Sequence, residues 1–79
     1  MATVRYFAAA AEAAGTTSEQ VHADDLGSLL ADLRRRHGAE LSRVLDRSSV
    51  LHEGQYVDDP DRPLAHDAVL DVLPPFAGG

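Results

Sequence analysis

Polar and apolar positions alternate at both ends of the chain and follow a helical period in between. In TVRYFA (residues 3–8), Val4 and Tyr6 face one way and Arg5 and Phe7 the other, which predicts a strand with one buried face. The alanine-rich stretch 9–15 predicts a short helical turn closed by Gly15. SEQVHA (18–23) predicts a second strand pairing back on the first, with Val21 inward. DDLGSLLADLRRRHG carries Leu26, Leu29, Leu30 and Leu33 at helical spacing, an apolar stripe for one face of a long helix. Asp24 or Asp25 can cap its start, Asp32 can pair with Arg35 or Arg36, and Gly38 stops it. AELSRVL (39–45) adds a helical turn that buries Leu41, Val44 and Leu45. SSVLHEGQYV (48–57) predicts a hairpin turning at Gly54. After a polar, proline-punctuated loop, Leu64 packs back as an anchor, and DAVLDVL (67–73) is the last strand, with Leu70 and Val72 on one face and Asp71 on the other. Strands at both ends and one main helix predict an α+β fold, a mixed sheet with the helix across one face.

Seventy-nine residues make one domain with one modest core. Residues 1–73 form that domain, and residues 74–79 form an extended C-terminal tail. The net charge of −6 disfavours nucleic acid as a partner. No stretch is apolar enough for a membrane span or shaped like a leader, so the expectation is a soluble, cytoplasmic protein with no membrane partner. With no cysteine there is no disulfide, thiolate metal site or cysteine nucleophile. All seven basic residues are arginine. Compositional bias toward arginine and alanine accounts for this, but it has a chemical consequence: no lysine is available to accept an acyl group, which leaves the N-terminal amine.

The four histidines, His22, His37, His52 and His66, lack ligand spacing and are expected at edges or in solvent. Asp58, Asp59 and Asp61 cluster without the glycine and glutamate of a calcium loop, so they read as a solvated turn. Ser48 and Ser49 have no glycine-rich elbow. No metal site follows from the sequence. Phe7 and Leu73 fall on the sheet face away from the helix, and Val57 joins them if the hairpin register agrees. The three are candidates for a partner-docking patch edged by Arg5 and Asp71.

The sequence ends on LPPFAGG. Pro74 and Pro75 favour an extended path that carries the chain off the sheet. Phe76 is a large apolar group with no core to enter, and Ala77, Gly78 and Gly79 are slim enough to thread a narrow tunnel in a partner. A terminal carboxylate is ionised at neutral pH. An ATP-dependent partner could adenylate it, and a sulfur donor could then displace AMP to leave a thiocarboxylate. Glycine leaves the carbonyl open to approach from either face.

VRYFAAAAEAAG, the leucine helix, EGQYVDD with its following loop, and above all LPPFAGG resemble the ubiquitin-like β-grasp sulfur carriers of the MoaD/ThiS type, and among them the small subunits of molybdopterin synthase. The resemblance spans nearly the whole chain. It departs at Glu53-Gly54, where the family often has Asn-Gly, and at Ala65-His66-Asp67, where it often has Asp-Gly-Asp. It implies a β-grasp fold and Gly79 as the residue adenylated and thiolated, with Gly78, Ala77, Phe76, Pro75 and Pro74 as the threading segment. The implied partners are a MoaE-like large synthase subunit and a MoeB-like, ubiquitin-activating-type adenylyltransferase. Sulfur would go to the cyclic pyranopterin monophosphate precursor. No cofactor would be bound by the chain, and ATP would be used by the activating partner. The chain would be a sulfur-donating subunit with no catalytic site of its own. Sulfur carriage for thiamine or cysteine synthesis, and a role as a protein modifier or binding module, remain open alternatives.

Overall fold

The structure is a computed structural model that describes residues 1–75. Its elements are β1 (Ala2–Tyr6), α1 (Ala9–Ala14), β2 (Ser18–Val21), α2 (Leu26–Arg47), β3 (Ser49–His52), β4 (Gln55–Val57) and β5 (Val69–Leu73). The strands form one five-stranded sheet in the order β2-β1-β5-β3-β4. β1 and β5 pair in parallel at the centre, and every other pairing is antiparallel. A parallel pair needs a long crossover; here the whole middle of the chain provides it.

Val4 and Tyr6 of β1 and Leu70 and Val72 of β5 are buried, as the alternation predicts. Leu26, Leu29 and Leu33 of α2 meet them from above. Leu30 is only half-buried, at the edge of the stripe. Asp25 is the helix cap: its side chain accepts from the Ser28 N–H at 2.8 Å. Leu64 is buried, and its N–H donates to the Asp24 carbonyl at 2.9 Å, which ties the loop to the helix start.

Gly38 breaks α2 at φ 76°, ψ −156°, a backbone region that is essentially closed to residues with a Cβ. Helix resumes beyond the kink to Arg47 and buries Leu41 and Leu45. The predicted stop is therefore a bend, and the second segment is longer than the short turn expected from residues 39–45. At the hairpin, Glu53 and Gly54 both take positive φ, 51° and 81°. That is the turn geometry whose twist suits a two-residue hairpin. Glu53 tolerates it while its carboxylate accepts from the Val69 N–H at 3.2 Å.

Glu19 is a hub that ties β2 to β1 and α2. Its carboxylate accepts from the Tyr6 hydroxyl at 2.5 Å and from Arg36 Nη1 at 3.0 Å, and it bonds His37 Nε2. Arg36 is held in turn by Asp32, which also pairs with Arg35. Burial pushes the Glu19 carboxyl up, but the hydrogen bonds from Tyr6, His37 and Arg36 prevail, so its pKa lies below the ordinary value. Burial, then the bond to Glu19, pushes the Tyr6 phenol up, so Tyr6 remains a donor. A carboxyl lowered by folding stabilises the fold above its unfolded pKa, about 4.3, and that contribution disappears as pH falls through the lower folded value. Urea unfolding of Glu19→Gln is expected to show a loss of about 1–2 kcal/mol at neutral pH. The gap to the wild type should narrow as pH drops below about 4.3. A gap that stays constant through that range would show that Glu19's charge is not what holds β2 to the helix.

Candidate functional site

The tail leaves from the end of β5, a central strand flanked on both sides. Pro74 is buried and Pro75 is exposed. Both line an open groove of about 740 Å³ between α1 and the C-terminal segment of α2. Ala9, Ala13 and Val44 supply its apolar wall, and Arg43 and Arg47 stand on its helical rim. Glu12, Glu40 and Asp46 complete its charged lining. The two prolines were expected to carry the chain straight off the sheet. Pro74 is instead covered, in a groove shared with α1 and α2. A proline can be covered in this way cheaply, because it has no backbone N–H to leave unsatisfied. Phe76, Ala77, Gly78 and Gly79 lie outside the described residues.

Beside the tail root is the sheet face turned away from α2. Arg5 and Asp71, opposite one another on β1 and β5, form a two-pronged ion pair, Nε–Oδ1 at 2.6 Å and Nη2–Oδ2 at 2.9 Å. The hydrogen bond to Asp71, then its charge, raises the pKa of the Arg5 guanidinium. Leu51 pairs with Asp71, and Tyr56 pairs with Leu51, so one row across the sheet runs Arg5, Asp71, Leu51, Tyr56. Tyr56 is 77% exposed. Leu73 is half-buried, two residues along β5 from Asp71 on the same face. Phe7 follows Tyr6, donates its N–H to the Val72 carbonyl at 3.3 Å, and is 42% exposed.

Val57 does not belong to this face. It pairs with Val50, which pairs with the buried Val72, and it packs against the core. The reason is register: His52 sits opposite Gln55 across the turn, which puts Tyr56 outward and Val57 inward. The apolar face therefore gathers Phe7, Leu73, Leu51 and Tyr56. Leu51 and Tyr56 were missed in the sequence, although a two-residue turn at Glu53-Gly54 places them opposite each other. His37 was also missed as a partner of Glu19. In the acidic loop, Asp59 accepts from the Asp61 N–H at 2.9 Å, a local turn. Among the described residues no group of three His, Asp or Glu side chains is placed to hold a metal ion, and no helix is long and apolar enough to cross a membrane.

The family model of the ThiS family matches residues 4–79, and the chain belongs to that family of ubiquitin-like sulfur carriers. The mixed sheet and its helix match those of ubiquitin-like β-grasp structures. SAMP1 of Haloferax volcanii is 30% identical, with 99% of this chain and 98% of that one covered and a TM-score of 0.81. A chain of the complex of subunits 1 and 2 of the molybdopterin-converting factor from Helicobacter pylori is 26% identical, with 99% and 97% covered and a TM-score of 0.76. The small archaeal modifier protein 1 of Methanosarcina acetivorans is 21% identical and shares the fold at a TM-score of 0.85, over 99% of this chain and 95% of that one. No curated protein matches the chain.

Proposed function

We propose that this ThiS-family chain is the sulfur-carrying small subunit of a molybdopterin synthase. The observation that carries the reading is the placement of a Gly-Gly-ending tail on a central strand, next to an exposed apolar face with a fixed ion pair. A likeness along 99% of the chain to a component of a two-subunit molybdopterin-converting complex supports it. The Gly79 carboxylate attacks the α-phosphate of ATP on an adenylating partner of the MoeB-like kind, and pyrophosphate leaves. A sulfur donor then displaces AMP and leaves a thiocarboxylate. The tail next enters a MoaE-like large subunit, gives its sulfur to the cyclic pyranopterin monophosphate, and returns as a carboxylate. This chain's own part is to present the terminus. Pro74 and Pro75 set its exit, Phe76 to Gly78 lead it into the partner, and Phe7, Leu73, Leu51 and Tyr56 dock the partner.

Intact mass after incubation with the adenylating enzyme, ATP and a sulfur donor tests the reading. One oxygen is expected to be replaced by sulfur, and fragmentation should place the change at Gly79. An unchanged mass, with the enzyme active on another carrier, would sink it. Phe7→Ala and Tyr56→Ala, both at exposed side chains, are each expected to weaken capture of the large subunit by about 1–2 kcal/mol, with unfolding midpoints near the wild type.

The 30% identity to SAMP1, a small archaeal modifier protein, favours a second reading. In it the activated terminus forms an amide with a lysine of another protein. Covalent adducts on other proteins, with no sulfur gained, would select it.

A further inference from the structure

On the reading that the sheet face turned away from α2 docks the large subunit, we propose that Arg5 determines which surface is accepted there. Held in place by Asp71, its guanidinium takes a carboxylate of the partner, set within a surface that is otherwise apolar and uncharged. Phe7, Leu73, Leu51 and Tyr56 supply adhesion that any apolar surface could use; Arg5 supplies the selection.

The acids and arginines of the five strands are Arg5, Glu19 and Asp71. Glu19 lies opposite the buried Val4 and bonds Tyr6 and Arg36, so it belongs to the helix side. The open face is left with Arg5 and Asp71 alone among the described strand residues. Their row runs from Ser18 of β2 through the pair to Leu51 and Tyr56. The row on one side carries Thr3 and Val69, and the row on the other carries Leu73 and Ser49. On a protein with a net charge of −6, this face is therefore neutral ground with one ion pair at its middle.

The two partners of the pair are unequal in what they show to the outside. The Asp71 side chain is 17% exposed, and both its oxygens already accept from Arg5, at 2.6 and 2.9 Å. The Arg5 side chain is 52% exposed. A guanidinium has more N–H groups than one carboxylate can engage, all in one fixed plane. Nε and Nη2 of Arg5 donate to Asp71, and Nη1 meets no acceptor among the described residues. The face therefore presents a cation with donors to spare, while the anion is covered. A partner carboxylate finds those donors already aligned, because the bonds to Asp71 have taken up the freedom of a long side chain. A partner lysine or arginine is repelled by Arg5 and cannot reach Asp71. An apolar surface with no acceptor strips water from Nη1 and leaves its N–H groups unpaired, which costs affinity. A cross-strand ion pair this exposed steadies the sheet only slightly, so holding β1 to β5 does not account for it.

The test is the Kd of the full chain for the large subunit, at low and at high salt. Wild-type affinity should fall as salt rises. Arg5→Gln should bind about tenfold or more weakly at low salt and lose most of that salt dependence. The double variant Arg5→Gln/Asp71→Asn leaves no bare carboxylate in the sheet and keeps the net charge, and it should show the same loss. Asp71→Asn keeps the cation and should keep the salt dependence. Arg62→Gln makes the same charge change beside the start of α2, where the Arg62 carbonyl accepts from the Leu26 N–H at 3.0 Å; it should match the wild type. Urea unfolding checks that each variant is folded. The proposal is overturned if the double variant binds as tightly as the wild type, if Asp71→Asn loses the salt dependence and Arg5→Gln keeps it, or if Arg62→Gln weakens capture as much as Arg5→Gln. Phe7→Ala and Tyr56→Ala score the underlying reading separately. Weakened capture by these two alongside full capture by the double variant sinks the role of Arg5 alone. Full capture by both sinks the docking face, and the role of Arg5 with it.

Discussion

A single residue added after Gly79 is expected to abolish charging of the chain and leave its fold untouched. The extension moves the carboxylate about 3.5 Å along the tail. In-line attack needs the reacting atoms about 3–3.5 Å apart, so a displacement of that size takes the nucleophile out of position in a tunnel cut for the shorter chain. The rate of pyrophosphate release should fall by about a hundredfold or more. The thermal midpoint should stay at the wild-type value, because the addition falls after Gly79, six residues beyond Leu73, the last residue of β5. Gly79→Ala, which keeps the length but adds a Cβ, should fall between the two. An extended chain that is adenylated and thiolated at the wild-type rate would sink the carrier reading.

The second large effect is in the core. Leu70 is fully buried on β5, opposite Val4 of β1 and His52 of β3, under the leucines of α2. Leu70→Ala removes its methyl groups from the strand that carries the tail, and is expected to cost about 2–5 kcal/mol. For a chain of this length the total stability is on the order of 4–12 kcal/mol, so the variant sits close to its unfolding threshold. Equilibrium unfolding in urea measures the loss, and Tyr56→Ala on the open face serves as a control, with a change below about 0.5 kcal/mol. A loss under about 1 kcal/mol for Leu70→Ala would mean that the sheet centre repacks around the gap.

Both sites differ in how far they were legible. Val4 with Tyr6, and Leu70 with Val72, declare their buried face through the period of two. Leu26, Leu29 and Leu33 declare theirs through the helical period. Asp25 and Gly38 mark the start and the bend of α2 because capping and positive φ are local demands on particular residue types. The tail chemistry is equally local, a proline pair and slim terminal residues, and the family resemblance rests on the same short stretches.

The Glu19 hub and the open face were harder to see. Tyr6, Glu19, Arg36 and His37 are separated by up to 31 residues, and nothing in any one stretch brings them together. Val57 and Tyr56 differ by one position, and one residue of register decides which of them faces the core. Pro74 was assigned to the projecting tail because its ring stiffens the chain; burial against α1 and α2 also depends on what stands beside it.

The amino-acid order alone determined the elements, the apolar faces of the strands and main helix, and the chemistry that its last residues can support. These follow from the torsional and hydrogen-bonding preferences of neighbouring residues. The tertiary structure decided that β1 and β5 lie side by side in parallel, that Met1 and the tail root fall at opposite ends, and that Arg43 and Arg47 border the exit. Those relations depend on burying both strands and both segments of α2 in one core, a requirement on the whole chain that no local stretch encodes.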